Sequence, residues 1–350
     1  MLAEEPLLDM VVDGRYRILR KLGEGGMSLV YEVQHIKLNR SFALKQLLPR
    51  LLHHDEAIQR FEREAELLAS LRHPHVVDIT DWVYLADGTP CMILEFLHGA
   101  SLNVRIQREQ LPWEEIARMG DQAMSALALA HRMGITHRDL KPENIFVSID
   151  DSGDERLKIL DFGISKLRGM GGLSGIHSML GTPSYMSPEQ ASGNNDVGPE
   201  TDVWAMGAIL YEMATQRVAF EADGLAETLV KITTSEPDPI RAFRPDASAA
   251  FVDLIERALS RDPERRIVTI EELREGLKTS WEPRTTRAST PVGTRKLTPL
   301  PMPVAEQSVR PTPYPITGVV VAPQPSRGIW WVVGLMIAIA ITLLNVFVLR

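Results

Sequence analysis

From Tyr16 to Val33 the stretch YRILRKLGEGGMSLVYEV alternates apolar and polar residues on either side of a glycine cluster. That period of two predicts a pair of β-strands joined by a glycine turn. FALKQL, starting at Phe42, predicts a third strand, and CMILEF, from Cys91 to Phe96, predicts another that runs out into a connecting segment. Between them EAIQRFEREAELLASL places Ile58, Phe61, Leu68 and Leu71 at helical spacing, with Glu64 and Leu68 one turn apart on the inner face. Glu62 and Glu66 fall on the solvent side. Further on the pattern turns helical. WEEIARMGDQAMSALALAHRMG carries Ile116, Met119, Ala123, Leu127 and Ala130 on one stripe and stops at Gly134. TDVWAMGAILYEMATQRVAF is largely apolar, as expected of a buried helix.

The C-terminal part changes character. From Pro283 to Gly328 proline is dense, threonine, serine and arginine are common, and large apolar residues are few. Such a stretch cannot bury enough surface to fold and reads as a tether leaning toward polyproline II. Ile329 to Leu349 then runs 21 residues without a charge, with Trp330 and Trp331 at one end and Arg327 just before. A helix of that length spans about 30 Å, the thickness of a bilayer core. The expectation is therefore a single C-terminal transmembrane helix with interfacial tryptophans. Only Arg350 follows it, so no external sensor domain is expected.

Charge sharpens this division. The 350 residues carry a formal net charge of −8, which argues against a dedicated nucleic-acid binder. Yet Pro283 to Arg327 holds six basic residues against the single acid Glu306. A basic flank beside the anchor favours the cytoplasmic side of the membrane and anionic lipid. The opening MLAEEPLLDM is acidic where a secretory signal would be basic. The one cysteine, Cys91, excludes an internal disulfide, has no metal-ligand partners in sequence, and sits in an apolar run.

Chemistry concentrates in THRDLKPENIFVSIDDSGDERLKILDFG, Thr136 to Gly163, where Asp139, Asn144 and Asp161 lie on two short connections between apolar runs. Transfer of a phosphoryl group from ATP needs one carboxylate to take the proton of the attacking hydroxyl. It also needs an amide and a second carboxylate to hold Mg²⁺ on the phosphates. The tripeptides HRD and DFG, in this order and with an asparagine five residues after the first aspartate, resemble the protein kinase signature. The resemblance covers about residues 13–280 and is greatest to the bacterial Hanks-type Ser/Thr protein kinases.

That resemblance implies an α+β, two-lobed protein kinase fold with a small β-rich N-lobe and a large helical C-lobe. The chain would then divide into an N-terminal flank (1–12), a kinase domain (13–280), a Pro/Thr-rich basic linker (281–328) and the membrane helix (329–349). By the same resemblance, Leu22, Gly23, Glu24, Gly25, Gly26, Met27 and Ser28 form a glycine-rich loop over the ATP phosphates, although Ser28 stands where the third glycine is usual. Val30 and Ala43 line the adenine, Leu94 is the gatekeeper, and the backbone of Glu95 and Leu97 bonds the base. Lys45 contacts the α- and β-phosphates and pairs with Glu64, which is chosen because REA followed by LRHPHVV marks the family's helix glutamate.

Asp139 is the base and Lys141 contacts the γ-phosphate, a lysine there indicating Ser/Thr rather than Tyr acceptors. Asn144 and Asp161 ligate Mg²⁺, with Mn²⁺ as an alternative ion. His137 and Phe162 are packing residues. Arg138 is the cation to which a phosphate on the activation segment docks, with Ser174 and Ser178 as candidate acceptors. Thr182 touches Asp139 and Lys141. Ser187-Pro188-Glu189 replaces the family's Ala-Pro-Glu, Glu189 pairs with Arg266, and Asp202 holds the backbone of the HRD loop.

The expected activity is transfer of the γ-phosphoryl group of Mg·ATP to Ser/Thr hydroxyls of protein substrates, the chain itself included. A pseudokinase scaffold is the alternative, and a small-molecule kinase of similar fold is a further one. Expected partners are protein substrates, the membrane, a second copy acting in trans, and phosphothreonine-binding proteins drawn to Thr290, Thr298 or Thr312, each of which precedes proline.

Overall fold

Two antiparallel sheets and a surrounding set of helices make up the computed structural model, which describes residues 7–150, 152–162, 183–194 and 196–281. Ser174, Ser178 and Thr182, together with most of the linker and the whole expected membrane helix, lie outside the described residues. Among the described helices none is long and apolar enough to cross a membrane.

The first sheet holds β1 (Val11–Val12), β2 (Tyr16–Glu24), β3 (Ser28–His35), β4 (Arg40–Leu47), β5 (Ile79–Tyr84) and β6 (Pro90–Glu95) in the order β1-β2-β3-β4-β6-β5. Register decides which side chains share a face. Val30 lies opposite Lys45, Lys45 opposite Met92, and Ala43 opposite Leu94, so these five residues look out from the same side. The opposite face is an apolar cluster of Ile18, Tyr31, Val33, Phe42, Leu44, Cys91 and Ile93. Against the first face packs α1 (Asp55–Ser70), through the buried stripe Ala57, Phe61, Ala65 and Leu68. Asp55 and Glu56 in its first turn suit the positive end of the helix dipole.

Beyond Glu95 the chain enters a small sheet of β7 (Gly99–Ser101), β8 (Ile145–Ile149) and β9 (Glu155–Ile159), interrupted by α2 (Leu102–Arg108) and α3 (Trp113–Arg132). The remaining helices are α4 (Pro188–Ala191), α5 (Glu200–Thr215), α6 (Leu225–Thr234), α7 (Ile240–Phe243), α8 (Ala249–Ala258) and α9 (Ile270–Trp281). Every residue of α5 from Thr201 to Thr215 is buried, as its largely apolar pattern requires. The two lobes are stitched at β9. Ile159 donates its N–H to His75 and accepts from Val77, both at 2.9 Å. The neighbouring Lys158 ammonium sits 2.5 Å from Glu95, at the end of β6.

Close approach of α5 to α8 depends on Gly207. A Cβ there would lie 2.8 Å from the Cβ of Ala258, an atom fixed to a buried helix backbone, and 3.3 Å from Leu259. Gly207→Ala is therefore expected to destabilise by about 1–3 kcal/mol through overpacking, despite the better helix propensity of alanine. Urea midpoints at constant m-value check this; a gain in stability would show that α8 yields instead.

Candidate active site

Lys45 projects from β4 into the space between the lobes with 6 % of its surface exposed. Its ammonium lies 2.7 Å from Glu64 Oε1 on α1 and 2.5 Å from Asp161 Oδ1, just past β9. Burial alone would push the lysine toward neutrality, but Asp161 and Glu64 outweigh it, so its pKa moves up and the charge is kept. The carboxylates divide unequally. Burial opposes ionisation of Asp161, yet Lys45 overrides it and holds that carboxyl below the usual range. Burial, with Asp161 adding repulsion against the pull of Lys45, pushes Glu64 up to about 7.

Asp139 sits in a loop whose backbone is fixed from below. Asp202, in the first turn of α5 and fully buried, accepts from the N–H of His137 at 2.7 Å and of Arg138 at 2.8 Å. It also accepts from His131 Nε2 at 2.8 Å, at the end of α3. Arg138 has φ of 63°, a left-handed conformation that costs a non-glycine residue about 1–2 kcal/mol. Asp139 donates its N–H to His137 Nδ1 at 3.3 Å, so the neutral imidazole carries its proton on Nε2. Burial agrees, lowering the pKa of His137. Its ring packs 4.9 Å from that of Phe162. Lys141 Nζ is 3.7 Å from Asp139 Oδ2.

Asn144 closes the loop. Its side-chain NH₂ donates to the Asp139 carbonyl at 2.9 Å, and its own carbonyl accepts from Leu160 N–H at 2.9 Å. The amide nitrogen is thus committed inward and the amide oxygen is left to act as a ligand. Asp161, one residue beyond Leu160, supplies a second hard oxygen. Among the described residues no cluster of three or more His, Cys, Asp or Glu side chains could hold a metal ion. Asn144 and Asp161 therefore fit Mg²⁺ completed by phosphate oxygens and water, rather than a caged protein site.

Above this floor the hairpin of β2 and β3 forms a shallow cradle. Gly25 N–H donates to the Ser28 carbonyl at 2.8 Å, closing the turn. No atom lies within 4 Å of where a Cβ on Gly23 or Gly26 would be, so backbone N–H groups there can be approached closely. Leu22, Glu24, Met27 and Ser28 belong to the same hairpin, and Met27 accepts from Leu48 N–H at 2.9 Å. The Glu95 N–H is already donated to the Asp78 carbonyl at 2.9 Å. Of the two expected backbone contacts to a base, Glu95 can therefore offer only its carbonyl. Leu97 follows in the segment between β6 and β7.

The face below Asp139 is set by the chain from Pro183 onward. Glu189 pairs with the Arg266 guanidinium, and Ser187 caps α4 while bonding Thr201 at 2.6 Å. Tyr185 donates its hydroxyl to Glu212 of α5 at 2.6 Å. Burial, with Glu143 and Glu221 adding repulsion, raises Glu212 to about 7 despite that bond. The Nε of Arg138 is buried without a partner among the described residues. Sequence reasoning passed over His131, Gln190, Glu212 and Lys158, all of which bond to atoms around the site. Only His131, at the end of an apolar helix stripe, carried a signal that could have been noticed.

Comparison with known proteins accords with this geometry. The model of the family described as protein kinase domain matches residues 16–281. The chain is 37 % identical over 264 residues to the serine/threonine-protein kinase pkn3 of Myxococcus xanthus, covering 73 % of this chain and 48 % of that protein. It is 33 % identical over 277 residues to the serine/threonine-protein kinase PrkC of Bacillus subtilis, covering 79 % and 42 %. It thus spans less than half the length of these curated relatives. The crystal structure of the Mycobacterium tuberculosis PknI kinase domain superposes with a TM-score of 0.59 at 28 % identity, covering 78 % of this chain and 98 % of that one.

The raised carboxyl of Glu212 has a measurable consequence. Between the ordinary value of 4.5 and about 7 the folded protein keeps a proton that the unfolded chain has released. Stability therefore falls as pH rises through that window. Glu212→Gln keeps an acceptor for Tyr185 and removes this slope. It is expected to gain on the order of 1–3 kcal/mol over wild type at pH 8 and little at pH 4.5. Urea unfolding at the two pH values tests it; identical slopes in both proteins would contradict the assignment.

Proposed function

The chain belongs to the protein kinase domain family, and from that premise we propose that it transfers the γ-phosphoryl group of ATP to serine and threonine hydroxyls of proteins. The observation that carries this reading is the convergence of Glu64 and Asp161 on the buried ammonium of Lys45, tied through Leu160 and Asn144 to the Asp139 loop. In the proposed reaction the acceptor oxygen attacks the γ-phosphorus while the bond to the β-phosphate oxygen breaks. The hydroxyl proton passes to Asp139, and ADP leaves. Lys45 binds the α- and β-phosphates, Glu64 steadies Lys45, and Lys141 faces the γ-phosphate. The Gly23–Ser28 cradle offers backbone N–H groups to the phosphates, while Val30, Ala43, Leu94, the Glu95 carbonyl and Leu97 receive the adenine. Asn144 and Asp161 would hold Mg²⁺, which supplies neutralisation of phosphate charge when bound.

A pseudokinase scaffold is less well supported, because every side chain that the transfer requires is present and Lys45 is already paired. Arg138, whose buried Nε has no partner among the described residues, suits docking of a phosphate on Ser174 or Ser178. The uncharged run from Ile329 to Leu349 supports anchoring to the cytoplasmic membrane with the kinase on the ATP-containing side. Confinement to a surface would raise the effective concentration of a second copy and favour activation in trans, while Thr290, Thr298 and Thr312 offer phosphothreonine sites for partners.

Radiolabel transfer from Mg·ATP to a generic Ser/Thr-bearing protein is expected from the full chain and to fall about 10²–10⁴-fold in Asp139→Asn. Equal labelling by both would remove Asp139 as base; ATP binding without labelling by either would favour the scaffold. Separately, truncation before Ile329 should slow autophosphorylation at low protein concentration in the presence of vesicles. Equal rates with and without the terminal segment would count against activation in trans at a membrane.

A further inference from the structure

Between His137 and Asp139 the backbone is held at every amide. His137 N–H and Arg138 N–H are bonded to the two oxygens of Asp202, and Asp139 N–H to the imidazole of His137. The Asp139 carbonyl is bonded to Asn144. A further group in this run is held from α4. The Arg138 carbonyl accepts from the side-chain Nε2 of Gln190 at 2.9 Å. Gln190 is the third residue of α4, and its other amide atom, Oε1, accepts from Ser187 N–H at 3.1 Å as half of a capping box. A single amide group thus joins the start of α4 to the peptide that immediately precedes Asp139.

That peptide is the one most in need of a tether. Arg138 is left-handed, so the plane between Arg138 and Asp139 sits at the exit of a strained residue. Rotation of this plane changes ψ of Arg138 and φ of Asp139 together, moving the Arg138 carbonyl one way and the Asp139 N–H the other, so both bonds must hold for Asp139 to keep its setting in the loop. On its N–H side the plane is held by a 3.3 Å contact to His137, longer than the bonds to Asp202; on its C=O side it is held by Gln190 at 2.9 Å. We infer that Gln190 is a positioning residue for phosphoryl transfer: its amide N–H locks the Arg138–Asp139 peptide and thereby aims the Asp139 carboxylate, coupling the segment after Pro183 to the base. This rests on the reading of Asp139 as the base proposed above.

Gln190→Glu separates tether from cap, because a carboxylate still accepts from Ser187 N–H but cannot donate to the Arg138 carbonyl. Gln190→Met removes both. In the full-length protein, the expected result for Gln190→Glu is a fall in kcat of about tenfold with KM for ATP within about twofold of wild type. Its melting temperature should stay close to wild type, whereas that of Gln190→Met should drop with the lost cap. Amide exchange in residues 137–144 should quicken in both variants relative to α5. Wild-type kcat and wild-type exchange in Gln190→Glu, with defects in Gln190→Met alone, would overturn the inference and leave Gln190 as a helix cap. Parallel assay of wild type against Asp139→Asn reports on the kinase reading itself. Should wild type transfer no phosphate, that reading fails, while the exchange measurement still decides whether Gln190 locks the peptide.

Discussion

A carboxylate with no access to water must be surrounded by donors, and Asp202 meets that demand with three. Two are consecutive backbone N–H groups of the HRD loop and the third is the imidazole of His131. Its position in the first turn of α5 adds the favourable end of the helix dipole. Because α5 is buried over nearly its whole length, Asp202 has little freedom to follow the loop, and the loop follows Asp202. The left-handed Arg138 is a consequence. Strain of that kind persists only where neighbours over-determine it, and here they do.

The second buried charge works differently. Lys45 is an ammonium on a sheet whose opposite face is hydrocarbon, and it is retained because two carboxylates reach it from separate elements. Replacing such a group with a matched apolar residue often costs nothing, so stability does not explain it. The division of charge does suggest a use. Lys45 holds Asp161 below the usual carboxylate range while burial moves Glu64 upward, so the cluster presents the Asp161 oxygen as its firmer anion where a cation would be needed.

Much of this was legible in the sequence because phosphoryl transfer restricts residue type. Asp139, Asn144 and Asp161 on two connections stand out by residue type and spacing, while Lys45 in an apolar strand and Glu64 on the inner face of a helix were assigned their roles by the resemblance to the kinase pattern. What stayed hidden acts through backbone atoms or distant partners. Gln190 reads as an ordinary polar residue until its amide is seen against the Arg138 carbonyl. Ser187, which stands where the family pattern has alanine, is fully buried, caps α4 and bonds Thr201. Strand β5, ITDWVY, is obscured by Asp81, whose partners Arg15 and Tyr16 lie far back in the chain at 2.7 Å and 3.1 Å. The small sheet escaped notice because β7 is only three residues long.

These two anchors meet within a few residues of β9. Ile159 joins the sheet edge to the His75 and Val77 backbone of the upper lobe, Leu160 bonds Asn144 of the lower loop, and Asp161 reaches Lys45. Lys158, on the same strand, fixes Glu95 at the connection between lobes. A relative movement of the lobes must therefore strain at least one bond in this tripeptide or its neighbour. The distance between the carboxylate that would hold the metal and the one that would take the proton is thus governed by a short strand, not by loop flexibility. That is the arrangement a reaction dominated by positioning demands, since little covalent chemistry is left for the protein to perform.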